Sequence, residues 1–362
     1  MQQLAVPVTQ PVPRAFGPLR NHHCRHLLAI AGTAALISLS ALAGANESLQ
    51  IQNEYAHPHQ LVDVGNGRKI NLYCMGTGSP TVIFESPLGL ASWEWLFVQP
   101  KIAKRTRACA YDRAGMGFSD ANPAAGSSAQ AVQDLHALLQ AAQIAPPYTI
   151  VGSSYGAMHA ELFTYTYPQE VSGLVLIDGQ HEDTIKRLDA ITEGKFTPHY
   201  AQVSEGYQAC ATATQKGFVP GSAAYKDCVG GPIPGIEKRL AAALLAEAKS
   251  AAHWQTSAAE MSNMIGSSAD QLRGARRSFG DLPLITLTRG VSPYAIPGKP
   301  QSATNKAVEA ENKAIQEQVA QLSSRGKNRV VAGAGHLIQD DKPDAVVQAV
   351  LDVLAMQKMP GS

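Results

Sequence analysis

Acidic side chains are absent from the first 46 residues of this 362-residue chain. Arg14, Arg20 and Arg25 stand there instead, ahead of an almost wholly apolar run from Leu27 to Ala45 that closes on Ala43-Gly44-Ala45. A basic lead, an apolar stretch and a small-x-small site read as a secretory signal peptide over residues 1–45, cut near Ala45, with Ala41-Leu42-Ala43 as a second choice of site. The competing reading is an uncleaved N-terminal anchor, because about 19 apolar residues nearly span a bilayer. No second stretch is long and apolar enough to cross one, so no stable span is expected after cleavage. An excess of one charge is lacking as well. Thirty Lys and Arg stand against 29 Asp and Glu, a formal charge of +1, which gives no case for a nucleic-acid partner. Cysteine is scarce, five in all. Loss of Cys24 with the leader leaves Cys74, Cys109, Cys210 and Cys228, an even number that suits an oxidising, periplasmic or secreted setting. No internal repeat is visible, and nothing in the composition fixes an oligomeric state.

What is present is a large hydrophobic complement, 45% of residues against 16% charged, enough for a sizeable core and an accessory unit. Residues 46–58 read as a mobile lead-in. Gln60–Val64 and Arg68–Cys74 alternate about Gly65-Asn66-Gly67, a hairpin signal. Thr81–Glu85 is a buried strand, followed by a loop at Ser86–Gly89 and a helix carrying Trp93 and Trp95. Arg107–Tyr111 is a fourth strand. Ala129–Ala142 has helical spacing, Tyr148–Val151 and Val171–Asp178 read as strands, and Leu282–Arg289 and Arg329–Ala334 as two more. Ala307–Leu322 and Pro343–Met356 read as helices. Such alternation implies a mostly parallel sheet covered on both faces. Residues 180–280 break the rhythm. They are helical in pattern, Ile236–Ala252 especially, with Gly/Pro-rich breaks, and strands resume directly after them. The division expected is therefore 46–179 and 281–362 as two parts of one core, with 180–280 as a helical cap.

Gly152-Ser153-Ser154-Tyr155-Gly156 stands between the fifth strand and a helix from Ala157 to Tyr167. Strand, G-x-S-x-G and helix together form the setting of a nucleophile elbow. The pattern alone is weak, since 31 glycines and 25 serines produce about 0.2 chance matches in such a chain. Gly126-Ser127-Ser128 and Gly266-Ser267-Ser268 lack both the closing glycine and the preceding strand. Only Ser154 sits in the right frame.

Four segments together resemble the α/β-hydrolase superfamily, in its cap-bearing serine esterase and peptidase-like branch. They are Tyr111-Asp112-Arg113-Ala114-Gly115-Met116-Gly117-Phe118-Ser119, the Ser154 elbow, Leu174-Val175-Leu176-Ile177-Asp178 and Gly333-Ala334-Gly335-His336, in one order over about residues 60–357. The resemblance implies an α/β-hydrolase fold, with an eight-stranded sheet and a cap after strand 6. It also implies a Ser, acid, His triad and hydrolysis without cofactor or metal. In that fold's usual strand order the second strand lies beside the fourth, which would bring Cys74 to Cys109. Cys210 then pairs with Cys228 inside the cap, closing a loop of about 19 residues worth about 3 kcal/mol. Four free thiols are the alternative.

A serine hydroxyl needs a base to become a nucleophile at neutral pH. His336, in a Gly-x-Gly-His loop after the last strand, is the base expected. His136 and His159 lie in helices, His199 and His253 in the cap, and His181 is the rival nearest the cleft. The acid is contested. Residues 282–308 contain no Asp or Glu, so the usual place after strand 7 offers only Glu309 and Glu311, already in a helix. The superfamily also uses the end of strand 6, where Asp178 stands. Asp178 is therefore preferred, and Glu309 or Glu311 is the alternative acid. Asp112 is expected to pair with Arg113, and Glu85 to be a buried structural carboxylate. The oxyanion hole is expected to use the N–H of Tyr155 and, from Ser86-Pro87-Leu88-Gly89, that of Leu88, because Pro87 has none. The function expected is hydrolysis of small-molecule carboxylic esters. An iminopeptidase-like aminopeptidase would need an acidic cluster, for which Glu182, Asp183, Asp189 and Glu193 are the candidates and read as a solvated cap entrance. A catalytically inactive binding protein is the third reading.

Overall fold

In the computed structural model the described residues are 47–231, 235–296 and 298–357. The expected leader at 1–45 lies outside them. Eight strands form one sheet in the order β1-β2-β4-β3-β5-β6-β7-β8. They are β1 Gln60–Asp63, β2 Lys69–Met75, β3 Thr81–Glu85, β4 Ala108–Tyr111, β5 Tyr148–Ser153, β6 Val171–Ile177, β7 Leu284–Arg289 and β8 Lys327–Val331. β1 and β2 run antiparallel to their neighbours, and β4 through β8 are parallel.

Every residue of β3, β4 and β5 is buried, as a sheet covered on both faces requires. Because side chains alternate, one strand feeds two cores. Ile83, Ile150, Leu174 and Leu176 enter a core with Leu135, Leu138 and Phe163. Their neighbours Val82, Phe84, Val151, Val175 and Ile177 enter the opposite core with Val346, Ala349 and Val350. The expected helix carrying Trp93 and Trp95 is a single 3-10 turn, Ser92–Trp95, whose Trp95 enters the second core. Among the described residues the α-helices begin with α1 (47–54), α2 Gln99–Ala103, α3 Ser128–Ala141 and α4 Tyr155–Thr166. Five cap helices follow: α5 Thr184–Thr192, α6 Phe196–Lys216, α7 Lys238–Ala248, α8 Ala251–Ile265 and α9 Ser267–Ala275. α10 Ala303–Ala320, α11 Ile338–Asp341 and α12 Pro343–Gln357 complete the set. All five cap helices lie in sequence between β6 and β7.

Several local expectations are corrected. The segment expected to be a mobile lead-in contains α1. It is anchored by buried Tyr55, whose hydroxyl donates to Gln99 Oε1 at 2.6 Å and whose ring meets Tyr73 edge-on. The helical stretch Ile236–Ala252 is divided between α7 and α8, because Ser250 caps α8 by accepting from His253 N. β8 begins at Lys327 rather than Arg329 and ends at Val331. It is an edge strand, half exposed, so its apolar content marks it poorly. Two disulfides are present. Cys74 and Cys109 face each other in the β2–β4 register, with Cα atoms 4.0 Å apart, and Cys210 joins Cys228 within the cap.

Candidate active site

β5 ends at Ser153 and α4 begins at Tyr155, which leaves Ser154 alone in the turn with φ 55° and ψ −119°. A non-glycine residue there is strained, and the surroundings must hold it. Backbone bonds do so on both sides. Ser154 N–H donates to Ile177 O at 2.9 Å, and Gln180 N–H donates to Ser154 O at 3.0 Å. The flanking glycines are required by close approach. A Cβ on Gly152 would lie 2.8 Å from Ala157 Cα, and one on Gly156 would lie 2.6 Å from Ser86 O. The second contact presses the loop after β3 against the start of α4.

Ser154 Oγ lies 2.9 Å from His336 Nε2, and His336 Nδ1 lies 2.6 Å from Asp178 Oδ2. With the proton on Nδ1, the imidazole donates to the carboxylate and can accept the serine proton. The His336 side chain is 40% exposed and that of Asp178 is 0% exposed, so the pair runs from the open side of the site into its interior. Gly335, beside His336, is held by its N–H donating to Asp341 Oδ2 at 2.7 Å. Ser153 Oγ donates to Gln339 Oε1 at 3.2 Å, which ties the elbow strand to the segment after the histidine.

Asp178 is held by more than the histidine. Arg289 Nη1 donates to Oδ2 at 2.8 Å, Arg289 N to Oδ1 at 3.2 Å and Asn312 Nδ2 to Oδ1 at 3.0 Å. Burial by itself raises a carboxyl pKa, but the Arg289 guanidinium and the His336 and Asn312 hydrogen bonds outweigh it and hold Asp178 well below the usual range. The alternative acids are engaged elsewhere. Glu309 takes both remaining faces of Arg289, at 2.9 and 3.1 Å, and Glu311 pairs with Arg187 at 2.5 Å. Glu309 thus lies one residue behind the acid that touches the histidine.

Asp112 does not follow the expected pairing with Arg113. It accepts from Ser92 N, Asn71 Nδ2 and Phe118 N at 2.8 to 3.0 Å, pinning its own loop. Glu85 is buried and accepts from Arg113, His159 and the Tyr111 hydroxyl. His181 is buried too, with Nδ1 accepting from Asp183 N at 3.0 Å. The expected solvated acidic entrance is corrected at Glu182, which is 8% exposed with its carboxylate bound by Arg276, while Asp183 and Asp189 are half-buried and Glu193 is exposed. Asp183 pairs with Arg273 at 2.9 Å, and Asp189 receives Phe196 N and Thr197 N, both at 2.9 Å, at the start of α6. Among the described residues, Tyr155 N–H and Leu88 N–H have no acceptor within the protein. A cavity of about 20 Å³ is lined by Tyr111, Arg113, His159 and Glu260; Ser154 and His336 are not among its lining residues.

A profile of the alpha/beta hydrolase family matches residues 81–349, about three quarters of the chain. The chain belongs to the alpha/beta hydrolase family. Among its curated relatives is an uncharacterized Bacillus subtilis (strain 168) protein, YqjL, 35% identical over 103 residues, 28% of this chain and 41% of that protein. Another is the 2-hydroxymuconate semialdehyde hydrolase of Pseudomonas sp. (strain CF600), 30% identical over 146 residues, 39% of this chain and 50% of that one. The chain thus spans at most half the length of these relatives. Solved structures share the fold. A thermophilic esterase from Thermogutta terrifontis superposes with a TM-score of 0.54 at 18% identity, over 83% of this chain and 98% of its own. The epoxide hydrolase CorEH does so with a TM-score of 0.56 at 14% identity, over 82% and 97%.

Sequence reasoning missed the groups that support the candidate site. Arg289 ends β7 in the stretch that has no acid, and that position was its one visible signal. Asn312 lies inside α10 and gave none. Arg113 was visible in its loop, but its partner Glu260 is 147 positions away in the cap.

Proposed function

We propose that the chain is an exported serine hydrolase that cleaves carboxylic esters of small or medium apolar substrates through an acyl-enzyme. The observation that carries this reading is the two-step relay, 2.9 Å from Ser154 Oγ to His336 Nε2 and 2.6 Å from His336 Nδ1 to Asp178 Oδ2. Ser154 Oγ attacks the acyl carbon, its proton passes to His336 Nε2, and the carbonyl π pair moves onto oxygen. The N–H groups of Tyr155 and Leu88 hold that oxyanion; loss of one such donor typically costs about 10²–10³ in rate. Collapse expels the alkoxide, which takes the proton from His336. Water, deprotonated by His336, then attacks the acyl-enzyme, and Ser154 recovers its proton as the acid leaves. Asp178 stabilises the imidazolium throughout and keeps Nδ1 protonated.

A serine nucleophile does not suit epoxide opening, where a carboxylate forms the covalent ester. Aminopeptidase chemistry finds no free carboxylate for a substrate amine among the four candidates. Glu182 and Asp183 are paired to arginines, Asp189 is bound by backbone N–H groups, and exposed Glu193 lies 3.5 Å from Lys195. We assign the segment 180–280 as the cap that shapes the acyl pocket. Export is supported by the acid-free leader and the two disulfides. Among the described residues no helix is long and apolar enough to cross a membrane.

Aryl esters of graded acyl length, set against aminoacyl arylamides, test the reading. Turnover of esters at least 100-fold above amides, lost in Ser154→Ala, is expected. Preference for amides would move the assignment to a peptidase. No turnover of either class would favour a binding protein.

A further inference from the structure

In that reaction the loop after β3 presents Leu88 N–H to the oxyanion, yet Pro87 removes one donor from it and, among the described residues, no acceptor aims the remaining one. A peptide unit is planar and trans, so the Pro87 C=O and Leu88 N–H point in opposite directions from one rigid plate. Fixing the oxygen therefore fixes the hydrogen. Arg113 Nη2 donates to Pro87 O at 2.7 Å, and Nη1 donates to Ser86 O at 2.7 Å. On the far side of Leu88, Gly89 N–H donates to Glu260 Oε2 at 2.8 Å. Glu260 in turn takes Arg113 Nε at 2.7 Å and Nη2 at 3.1 Å. Leu90 N–H adds a longer bond to Pro87 O at 3.2 Å, so the ion pair grips the carbonyl of Ser86, the N–H of Gly89 and, at the shorter distance, the carbonyl of Pro87; among the described residues Leu88 N–H between them has no acceptor.

The grip is built for direction. Arg113 has five N–H donors, and all are used: two on Glu260, one on Glu85 and two on loop carbonyls. Lysine has no planar fork to meet two successive carbonyls and a carboxylate at once. The side chains of Arg113 and Glu260 are 5% and 3% exposed. Burying such charges is costly, and apolar packing would serve stability as well. A cation on Pro87 O also draws electron density through the amide, which strengthens Leu88 N–H as a donor. Glu260 belongs to α8 of the cap and Arg113 to the loop after β4, so the grip joins cap to core.

Resting on the serine-hydrolase reading, we infer that Arg113 and Glu260 are positioning residues that set the second oxyanion donor, so that the cap helix α8 governs transition-state stabilisation as well as substrate access.

The test uses Glu260→Gln and Arg113→Lys in the full chain, with an aryl ester as substrate and an aryl trifluoromethyl ketone as a mimic of the oxyanion. In both variants kcat is expected to fall about 10- to 100-fold with KM within about threefold, and ketone affinity to fall by the same factor as kcat/KM. A purely structural role lowers melting temperature and leaves kcat and ketone affinity of the folded fraction within about twofold of wild type, which overturns the inference. If neither variant folds, wild type still decides. In a crystal of the fluorophosphonate adduct, the phosphonyl oxygen is expected to accept from Leu88 N–H with the Arg113 to Pro87 bond kept. A phosphonyl oxygen turned away from Leu88 overturns the inference. Failure of wild type to form the adduct at all is a different result, one that removes the serine-hydrolase reading beneath it.

Discussion

Asp178 serves an imidazole and a guanidinium with one carboxylate. Oδ2 faces both His336 and Arg289, and Oδ1 faces Asn312 and the Arg289 backbone. Arg289 keeps the group ionised, while the extra bonds fix its plane. Asp178→Asn keeps the shape but offers Nδ1–H no charged acceptor, so kcat is expected to fall about 10³–10⁴-fold. Glu309→Gln removes only the outer partner of Arg289 and is expected to cost less than tenfold. Steady-state kinetics on one aryl ester checks both, and equal losses would make Glu309 a full member of the site. Ser154, Asp178 and His336 were legible because each follows a strand on the edge where the chain turns, and local pattern marks such places. Arg289, Asn312 and Glu260 were not, since their roles exist only when segments far apart in sequence meet.

The elements divide by how their surroundings constrain them. Strands β3 to β6 are buried on both faces and read as apolar runs, so their positions were legible to within about two residues. β8 is exposed at the edge, and the break at Ser250 depends on one capping hydroxyl, so neither was legible in detail. The join of β5 to α4 tolerates no Cβ. Gly156→Ala is expected to lower activity at least 100-fold and to lower melting temperature too, because the new carbon meets backbone oxygens of Glu85 and Ser86 rather than a side chain that could move. Retention of wild-type kcat would show that the elbow can shift without cost. Within the cap, Cys210 and Cys228 are both buried and joined. Their double replacement by serine is expected to remove about 3 kcal/mol, read by urea denaturation. A change below about 0.5 kcal/mol would show that cap packing alone holds the loop.

Across the whole molecule, buried carboxylates give stability two opposite responses to pH. Asp178 is held below its ordinary pKa, so its contribution is present above the unfolded value of 3.8 and is lost as pH falls through the acid range. Glu161 behaves in reverse. Burial, helped by the nearby Glu182 charge, outweighs Arg276 and pushes it up to about 7 from 4.5. Its contribution is full below the unfolded value and is lost as pH rises toward 7. Wild type is therefore expected to lose stability between about pH 5 and 7.5, and Glu161→Gln to flatten that slope. Urea midpoints at the two pH values check it, and an unchanged slope would contradict the assignment. The overall architecture was legible because the strand and helix rhythm, the elbow and the cap insertion all point to one fold. Glu182 was misread as solvated because Arg276, nearly a hundred residues later, is what binds it.

In the proposed reaction Ser154 is the nucleophile and His336 activates it. Its most direct test is the site of covalent capture. Wild-type protein treated with a fluorophosphonate at neutral pH should gain one adduct mass, located by peptide mass spectrometry on Ser154, with the rate falling at least 100-fold in His336→Ala. An unlabelled wild type, or an adduct that persists in Ser154→Ala, would contradict it.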